Sequence, residues 1–252
     1  MKKTLLVFGC ILALMAAGVQ AKDWSKVRIA VDVPYEPFEY KKPDGTLTGF
    51  EVDLGNAACK EIGLQCEWVV QAWDGIIPGL LARKYDAIMS SMSITEERAK
   101  TVLFSDGYYN TPSAFFGKNS LDDLDVTSKT ALKDKMIGVQ RGTLQDNYVT
   151  EKLGDVVKVK RYTTADDMVL DLTGGRLDLV FVDFPVGEKT VLNNTGYQVI
   201  GNTIQVGTGI GMAFRKRDGK LAEEFNAALK KLKADGTYDA IQKKYFSYSI
   251  KI

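Results

Sequence analysis

Two stretches of this chain close in the same way, and that repetition limits the folds open to it. Residues 80–89 and 172–183 each read as a helix end, a tight basic turn and a buried strand. The first leads into Ser90-Ser91-Met92-Ser93-Ile94-Thr95-Glu96-Glu97-Arg98, and the second finishes on Asp183. Open α/β sheets bind ligands at the carboxyl ends of their strands. Two such units therefore predict two similar lobes facing one site.

The remaining pattern extends this reading. Period-2 or β-branched runs predict strands at 27–31, 67–70, 85–89, 136–139, 156–159 and 177–182. Helical spacing predicts helices over 50–62, 74–83 with Asp74 as cap, 143–153, 164–173 and 185–192. Such alternation argues for an α/β fold of two lobes, each a mainly parallel sheet flanked by helices. Gly207, Gly209 and Gly211 suit a bend between lobes, and residues 221–245 read as one long and one shorter amphipathic helix broken near Gly236. The chain divides into a leader over 1–21, a first lobe over 22–111, a second lobe over 112–204, and a hinge return to the first lobe over 205–252.

Composition removes several functions. A chain of 252 residues, 45% hydrophobic and 26% charged, has the make-up of a soluble globular protein with one large core or two ordinary ones. Lys+Arg 33 against Asp+Glu 32 leaves +1, so no field for nucleic acid or an acidic membrane surface is present. Histidine is absent, which removes histidine-dependent triads and most zinc sites; neither metal nor cofactor is expected.

The first residues read as an export signal. Lys2 and Lys3 precede an apolar run from Leu5 to Val19, too short for the roughly 20 residues of a membrane span. Val19-Gln20-Ala21 offers a cleavage site after Ala21. Without the two leader lysines the balance is 31 basic to 32 acidic residues. A lipid anchor at Cys10 is the weaker alternative, because Phe8 is bulky for that signal. Cys59 and Cys66 then remain as an even pair, read as a structural disulfide of an oxidising compartment worth ~2–3 kcal/mol. Their spacing is not the Cys-x-x-Cys of a redox pair.

Ser93 three residues before Glu96 has the spacing of a capping box that opens a helix. Arg98 then falls in the first turn, where the helix dipole disfavours a cation. A carboxylate ligand shared with helix-start amides would compensate; a solvated pair with Glu96 or Glu97 explains the same residues equally well. Asp32 and Asp183 follow buried strands, where a carboxylate receives an ammonium or guanidinium, or caps the next turn. Tyr35 and Trp73 sit just after strand ends, suited to clamp a ligand stem or to ordinary packing. Together with Arg98 and Ser91 they compose a receptor for a small zwitterion. Gly142-Thr143-Leu144-Gln145 opens a helix but lacks the glycine pattern of a phosphate loop. The basic residues of 230–244 fit a solvated helix face.

In this order the residues resemble the periplasmic solute-binding proteins of polar amino-acid ABC transporters (bacterial extracellular solute-binding family 3), nearest those for lysine, arginine, ornithine and histidine. The likeness runs through the mature chain by Asp32-x-x-Tyr35-x-Pro37-Phe38, Gly49-Phe50-Glu51-Val52-Asp53-Leu54, Cys59 to Cys66, residues 86–95, Asp235-Gly236-Thr237-Tyr238 and Lys244-Tyr245-Phe246. It implies a type II periplasmic-binding-protein fold that closes by hinge motion on an amino acid in the interlobe cleft. It also implies a periplasmic monomer that works with a membrane ABC permease and is not an enzyme.

The same resemblance implies roles. Arg98 would grip the ligand α-carboxylate with the backbone amides at Ser93 and Leu144. Ser91 and Asp183 would receive the α-ammonium. Tyr35 and Trp73 would sandwich the side chain, Asp32 and Ser90 would meet its distal nitrogens, and Gln145 would line the second-lobe wall. Gln140-Arg141 stands where the family has Leu-Gln, placing a positive charge near the side-chain pocket; Leu144 and Phe184-Pro185 also depart from the pattern. An opine would give Arg141 a second carboxylate to hold, and glutamine would also suit Asp32, but the Ser90-Ser91-x-Ser93 run favours a cationic amino acid. Cyclohexadienyl dehydratases are similar but need a general acid in the second lobe, where Val186 offers none. A sensory subunit would use the same clamp.

Overall fold

The computed structural model describes residues 24–252; the expected leader, Cys10 and the cleavage site after Ala21 lie outside these residues. Along the chain come β1 (Lys26–Val31), β2 (Tyr40–Lys41), β3 (Leu47–Thr48), α1 (Phe50–Glu61), β4 (Gln65–Val70), α2 (Ile76–Leu81), β5 (Ala87–Ile88), α3 (Glu96–Ala99) and β6 (Val102–Phe104). The chain then crosses to a second sheet. There it forms β7 (Ser113–Lys118), β8 (Met136–Gln140), α4 (Leu144–Leu153), β9 (Lys158–Tyr162), α5 (Ala165–Thr173), β10 (Leu179–Asp183), α6 (Phe184–Thr190) and β11 (Tyr197–Ile204). It returns as β12 (Ala213–Arg215), α7 (Gly219–Ala234) and α8 (Thr237–Gln242).

One sheet has the order β4-β1-β5-β12-β6, and the other β11-β7-β10-β8-β9. In the first, β4, β1 and β5 run parallel while β12 is antiparallel to both its neighbours. In the second, β10, β8 and β9 run parallel while β7 is antiparallel to both of its neighbours. Each sheet is therefore mainly parallel, as expected, with one strand of its five running against the rest: β12 in the first and β7 in the second. The cause is topological: β7 and β12 are the strands by which the chain enters a lobe from the other one. Neither follows the crossover helix that a parallel neighbour requires.

Local chemistry accounts for the elements. In α1, Phe50, Leu54 and Ala58 fall four residues apart and are buried, with Val52 and Cys59 beside them. A disulfide joins Cys59 to Cys66 and so ties α1 to β4. Leu221, Phe225, Leu229 and Leu232 form the buried stripe of α7. The Leu179-Val180-Phe181-Val182 run of β10 is buried throughout, as expected of a strand covered on both faces. Among the described residues no helix is long and apolar enough to cross a membrane.

Gly49 positions the first turn of the site. Its φ is 126°, and an added Cβ would lie 2.1 Å from the Phe38 carbonyl oxygen, so only glycine fits. The close approach lets the amides of Phe50 and Glu51 donate to the carbonyls of Pro37 and Phe38 at 3.0 and 2.9 Å. Phe38 then stacks on Tyr109 at 5.1 Å, within an aromatic cluster that includes Phe50 and Phe246. The two crossing segments pair with each other: the Tyr108 amide donates to the Ile210 carbonyl, and the Ile210 amide to the Tyr109 carbonyl, at 3.0 and 2.8 Å.

Candidate functional site

The lobes face each other across a cavity of about 340 Å³, its mouth included. This is at the small end of ligand sites, which run from roughly 300 Å³ upward. Asp32, Tyr35, Trp73, Ser90, Ser91, Ser93 and Arg98 line it from the first lobe, and Gln140, Leu144, Gln145 and Asp183 from the second. Glu39 and Thr143 also line it; sequence reasoning missed Glu39 and named Thr143 only within the helix start at 142–145. The signal for Glu39 was its place directly after Pro37-Phe38, in the turn seated by Gly49.

The first lobe supplies a carboxylate wall. β1 delivers Asp32, whose amide donates to Ser90 Oγ at 2.9 Å. Ser90 Oγ in turn donates to Glu39 at 3.0 Å, and Ser91 Oγ donates to the other Glu39 oxygen at 3.3 Å. Ser91 has φ 48°, an unusual conformation for a residue with a Cβ. Its amide donates to Glu51 at 2.9 Å and its Oγ accepts from Tyr109 at 2.9 Å, which hold it there. Tyr108 donates to the second oxygen of Glu51.

Arg98 is the cation of the cavity lining. Its Nη1 donates to the Ser93 carbonyl at 2.9 Å, and its guanidinium lies 5.2 Å from the Trp73 ring. The capping box expected at Ser93 and Glu96 is corrected: Thr95 is the cap of α3, accepting from the Arg98 amide at 3.1 Å. The residue nearest a helix start sets the cap, and α3 begins only at Glu96. Asp74 likewise does not cap α2, which follows a tight turn over Trp73–Gly75 and starts after Gly75.

The second lobe supplies Asp183 at the end of β10. It accepts from Gln145 at 3.0 Å, from Ser113 at 3.4 Å and, across the cleft, from Tyr35 at 2.6 Å. Gln140, at the end of β8, donates to Asp32 across the cleft at 2.8 Å. Gly142, with φ 73°, offers its carbonyl to Trp73 Nε1 at 3.2 Å and to Arg98 at 3.3 Å. These bonds join the lobes, and the cleft is closed.

Arg141 is not in the cavity, which corrects the position expected for it. Its side chain is half exposed and pairs with Asp74 at 3.1 Å on the rim beyond Trp73. Residues 140 and 141 follow a strand pattern in which successive side chains take opposite sides; Gln140 turns inward, so Arg141 turns out.

Electrostatics follow from burial. Burial pushes the carboxyls of Asp32 and Asp183 each up to about 6. Glu39 is held well above the ordinary carboxylate range by burial and then by the neighbouring Glu51, itself pushed up to about 7 by burial. Burial lowers Arg98 to about 10, leaving it cationic at neutral pH. Three carboxyl groups, Asp32, Glu39 and Asp183, thus share the cavity with one guanidinium, a lining that favours a ligand carrying one acid and more than one positive charge. Among the described residues no group of three His, Cys, Asp or Glu could hold a metal ion.

Two mixed α/β lobes joined by two paired crossings, with a polar cavity between them, define a clamp-type receptor for a small molecule. The chain belongs to the bacterial extracellular solute-binding proteins, family 3, matching over residues 27–248. It is 43% identical to the L-arginine-binding protein of Pseudomonas aeruginosa, over 99% of this chain and 98% of the relative. It is 37% identical to the histidine-binding periplasmic protein of Salmonella typhimurium, over 99% of each. A solved ancestral arginine-binding protein bound to arginine superposes with a TM-score of 0.82 at 36% identity, over 88% of this chain and 99% of that one.

Proposed function

We propose that this protein is an exported receptor that captures a cationic amino acid by closing two lobes on it and delivers it to a membrane ABC permease. The observation that carries this is the imbalance of the cavity: Asp32, Glu39 and Asp183 face it, against Arg98 alone. In this reading Arg98 takes the α-carboxylate beside the amides of Ser93 and Leu144. Asp183 and Ser91 take the α-ammonium, and Tyr35 and Trp73 flank the aliphatic stem. Asp32, Ser90 and Glu39 receive the distal cation. The curated relatives that bind arginine and histidine support the same class.

Closure would pivot where the chain crosses, near 105–112 and 205–212, with the second lobe spanning 112–204. The leader would be removed after Ala21, placing a monomer in the periplasm. Opine capture loses its rationale, since the cation that would hold a second carboxylate is paired with Asp74 outside the cavity. The dehydratase reading loses the second-lobe acid it needs three residues after Asp183, since Val186 is a buried apolar residue of α6. A thermal-shift screen against the amino acids and opines tests the assignment, because a tight ligand raises the midpoint. Arginine, lysine, ornithine or histidine should give the largest shifts; a larger shift from glutamate, from an opine or from another amino acid without a basic side chain overturns it.

A further inference from the structure

Two glutamines line the cavity, and each already uses both of its N–H groups. Gln140 Nε2 donates to Asp32 at 2.8 Å and to the Thr163 carbonyl at 3.0 Å. Gln145 Nε2 donates to Ser113 Oγ at 2.9 Å and to Asp183 at 3.0 Å. A side-chain amide has two donors and one carbonyl, so the carbonyl oxygen is what each has left for a ligand. The surrounding acceptors also fix the orientation of both amides, since turning Gln140 over would set its oxygen against a carboxylate and a carbonyl.

The hydroxyls repeat the pattern. Each carries one proton. Ser90 and Ser91 give theirs to Glu39, and Tyr35 gives its own to Asp183. Thr143 donates to the main-chain carbonyl of Gln140 at 2.8 Å. Arg98, joined to the Ser93 carbonyl at 2.9 Å, is the cationic donor of the cavity and is assigned to the ligand's acid. Gln140, Gln145 and Ser90 are each more than nine-tenths buried, so rearranging them means breaking bonds without water to replace them.

We propose that the site selects by exhausted donors: apart from Arg98, the polar side chains around the ligand's ammonium and side chain accept, and Gln140 is the residue that completes this wall across from Asp32. A guanidinium or ammonium brings only N–H groups and satisfies such a wall. An amide, urea or carboxylate head of the same size brings an acceptor that finds no donor. The inference rests on the proposed capture of an amino acid and narrows its class to side chains that only donate. A proton on Glu39 would supply one donor. Glu39 faces Asp32 and Glu51 together with the hydroxyls of Ser90 and Ser91, and an arriving cation draws these carboxyls to their ionised form.

Arginine and citrulline decide it, because citrulline has the same shape with a urea in place of the guanidinium. Isothermal titration of the mature protein at pH 8 should show arginine binding at least ~30-fold more tightly than citrulline, and lysine more tightly than glutamine by a similar factor. Neutral and cationic ligands binding within ~3-fold of each other would overturn the inference and leave the receptor reading intact. Binding of none of the four would sink both. In Gln140→Leu the wall loses an acceptor and Asp32 its partner, so arginine should weaken ~10-fold and citrulline less than ~3-fold. Equal loss for both would mark Gln140 as structural only and remove it from the assignment. The wild-type comparison stands whether or not that variant folds.

Discussion

The two lobes meet the cavity with different equipment. In the first, the polar groups are tied to one another: Ser90 bridges Asp32 and Glu39, and Ser91 bridges Glu39 and Glu51. In the second, one carboxylate and two amides are involved, and two of their bonds reach across the cleft, from Tyr35 to Asp183 and from Gln140 to Asp32. A wall bonded within one lobe keeps its shape when the lobes part. Bonds that span the lobes exist only when they close. The first lobe is thus built to receive a ligand, and the second to register that closure has occurred.

Removing the charge at the receiving end should have the largest effect. Arg98→Ala is expected to weaken every α-amino acid by ~100-fold, since two charge-assisted hydrogen bonds are each worth ~1.5–3 kcal/mol. Titration calorimetry with arginine and glutamine checks it; a loss confined to one of them would show that Arg98 does not hold the shared carboxylate. Acid should act through the carboxyls of both lobes. Asp32 and Asp183, raised to about 6, bind a cation in their ionised form, so affinity should fall ~10- to 100-fold from pH 8 to pH 5.

The same shift has the opposite sign for the free protein. Between pH 7 and 5 the folded state holds more protons on Asp32, Asp183 and Glu51 than the unfolded chain does. Ligand-free stability should therefore rise as pH falls through that window, while affinity drops. Carboxylates of lowered pKa, Asp86 and Asp171 among them, lose their contribution only below the ordinary carboxylate range of about pH 4, outside it. Thermal melts with and without arginine across this range would separate the two slopes, and parallel slopes would contradict the ionised site. Asp32→Asn sharpens the contrast between lobes further: it should cost basic side chains ~10-fold and glutamine little. Equal losses would remove Asp32 from the distal pocket.

The parts that sequence made legible are those set by local chemistry. Buried strand ends announced Asp32 and Asp183, and the Gly142-Thr143 pair announced the start of α4, where Thr143 indeed caps by accepting from the Asp146 amide at 3.2 Å. What remained hidden depends on distant partners. β7 is a run of five buried residues, a pattern shared by strands and buried helices. β12 takes its direction from a chain returning from the other lobe, which no local period encodes. Glu39 reads as an ordinary turn residue until Gly49 seats that turn against α1 and Ser90 and Ser91 reach it. Arg141 was misplaced because its neighbour, not its charge, determines which side of the strand it takes.

The rim offers the smallest and most specific test of the division between lobes. Arg141 and Asp74 join the lobes outside the cavity, as do Lys189 and Glu36 at 3.8 Å, and in both pairs the acid belongs to the first lobe and the base to the second. Arg141 and Asp74 are half and two-fifths exposed, so the pair is worth at most ~1 kcal/mol. A contact made only on closure slows opening without changing which ligand is held. Arg141→Gln should therefore speed arginine dissociation by no more than ~5-fold at low salt, leave the order of ligand preference unchanged, and show little difference from wild type once salt screens the pair. Stopped-flow release at low and high ionic strength measures this directly. A change in the ranking of arginine, lysine and glutamine in that variant would return Arg141 to the binding pocket and undo its assignment to the rim.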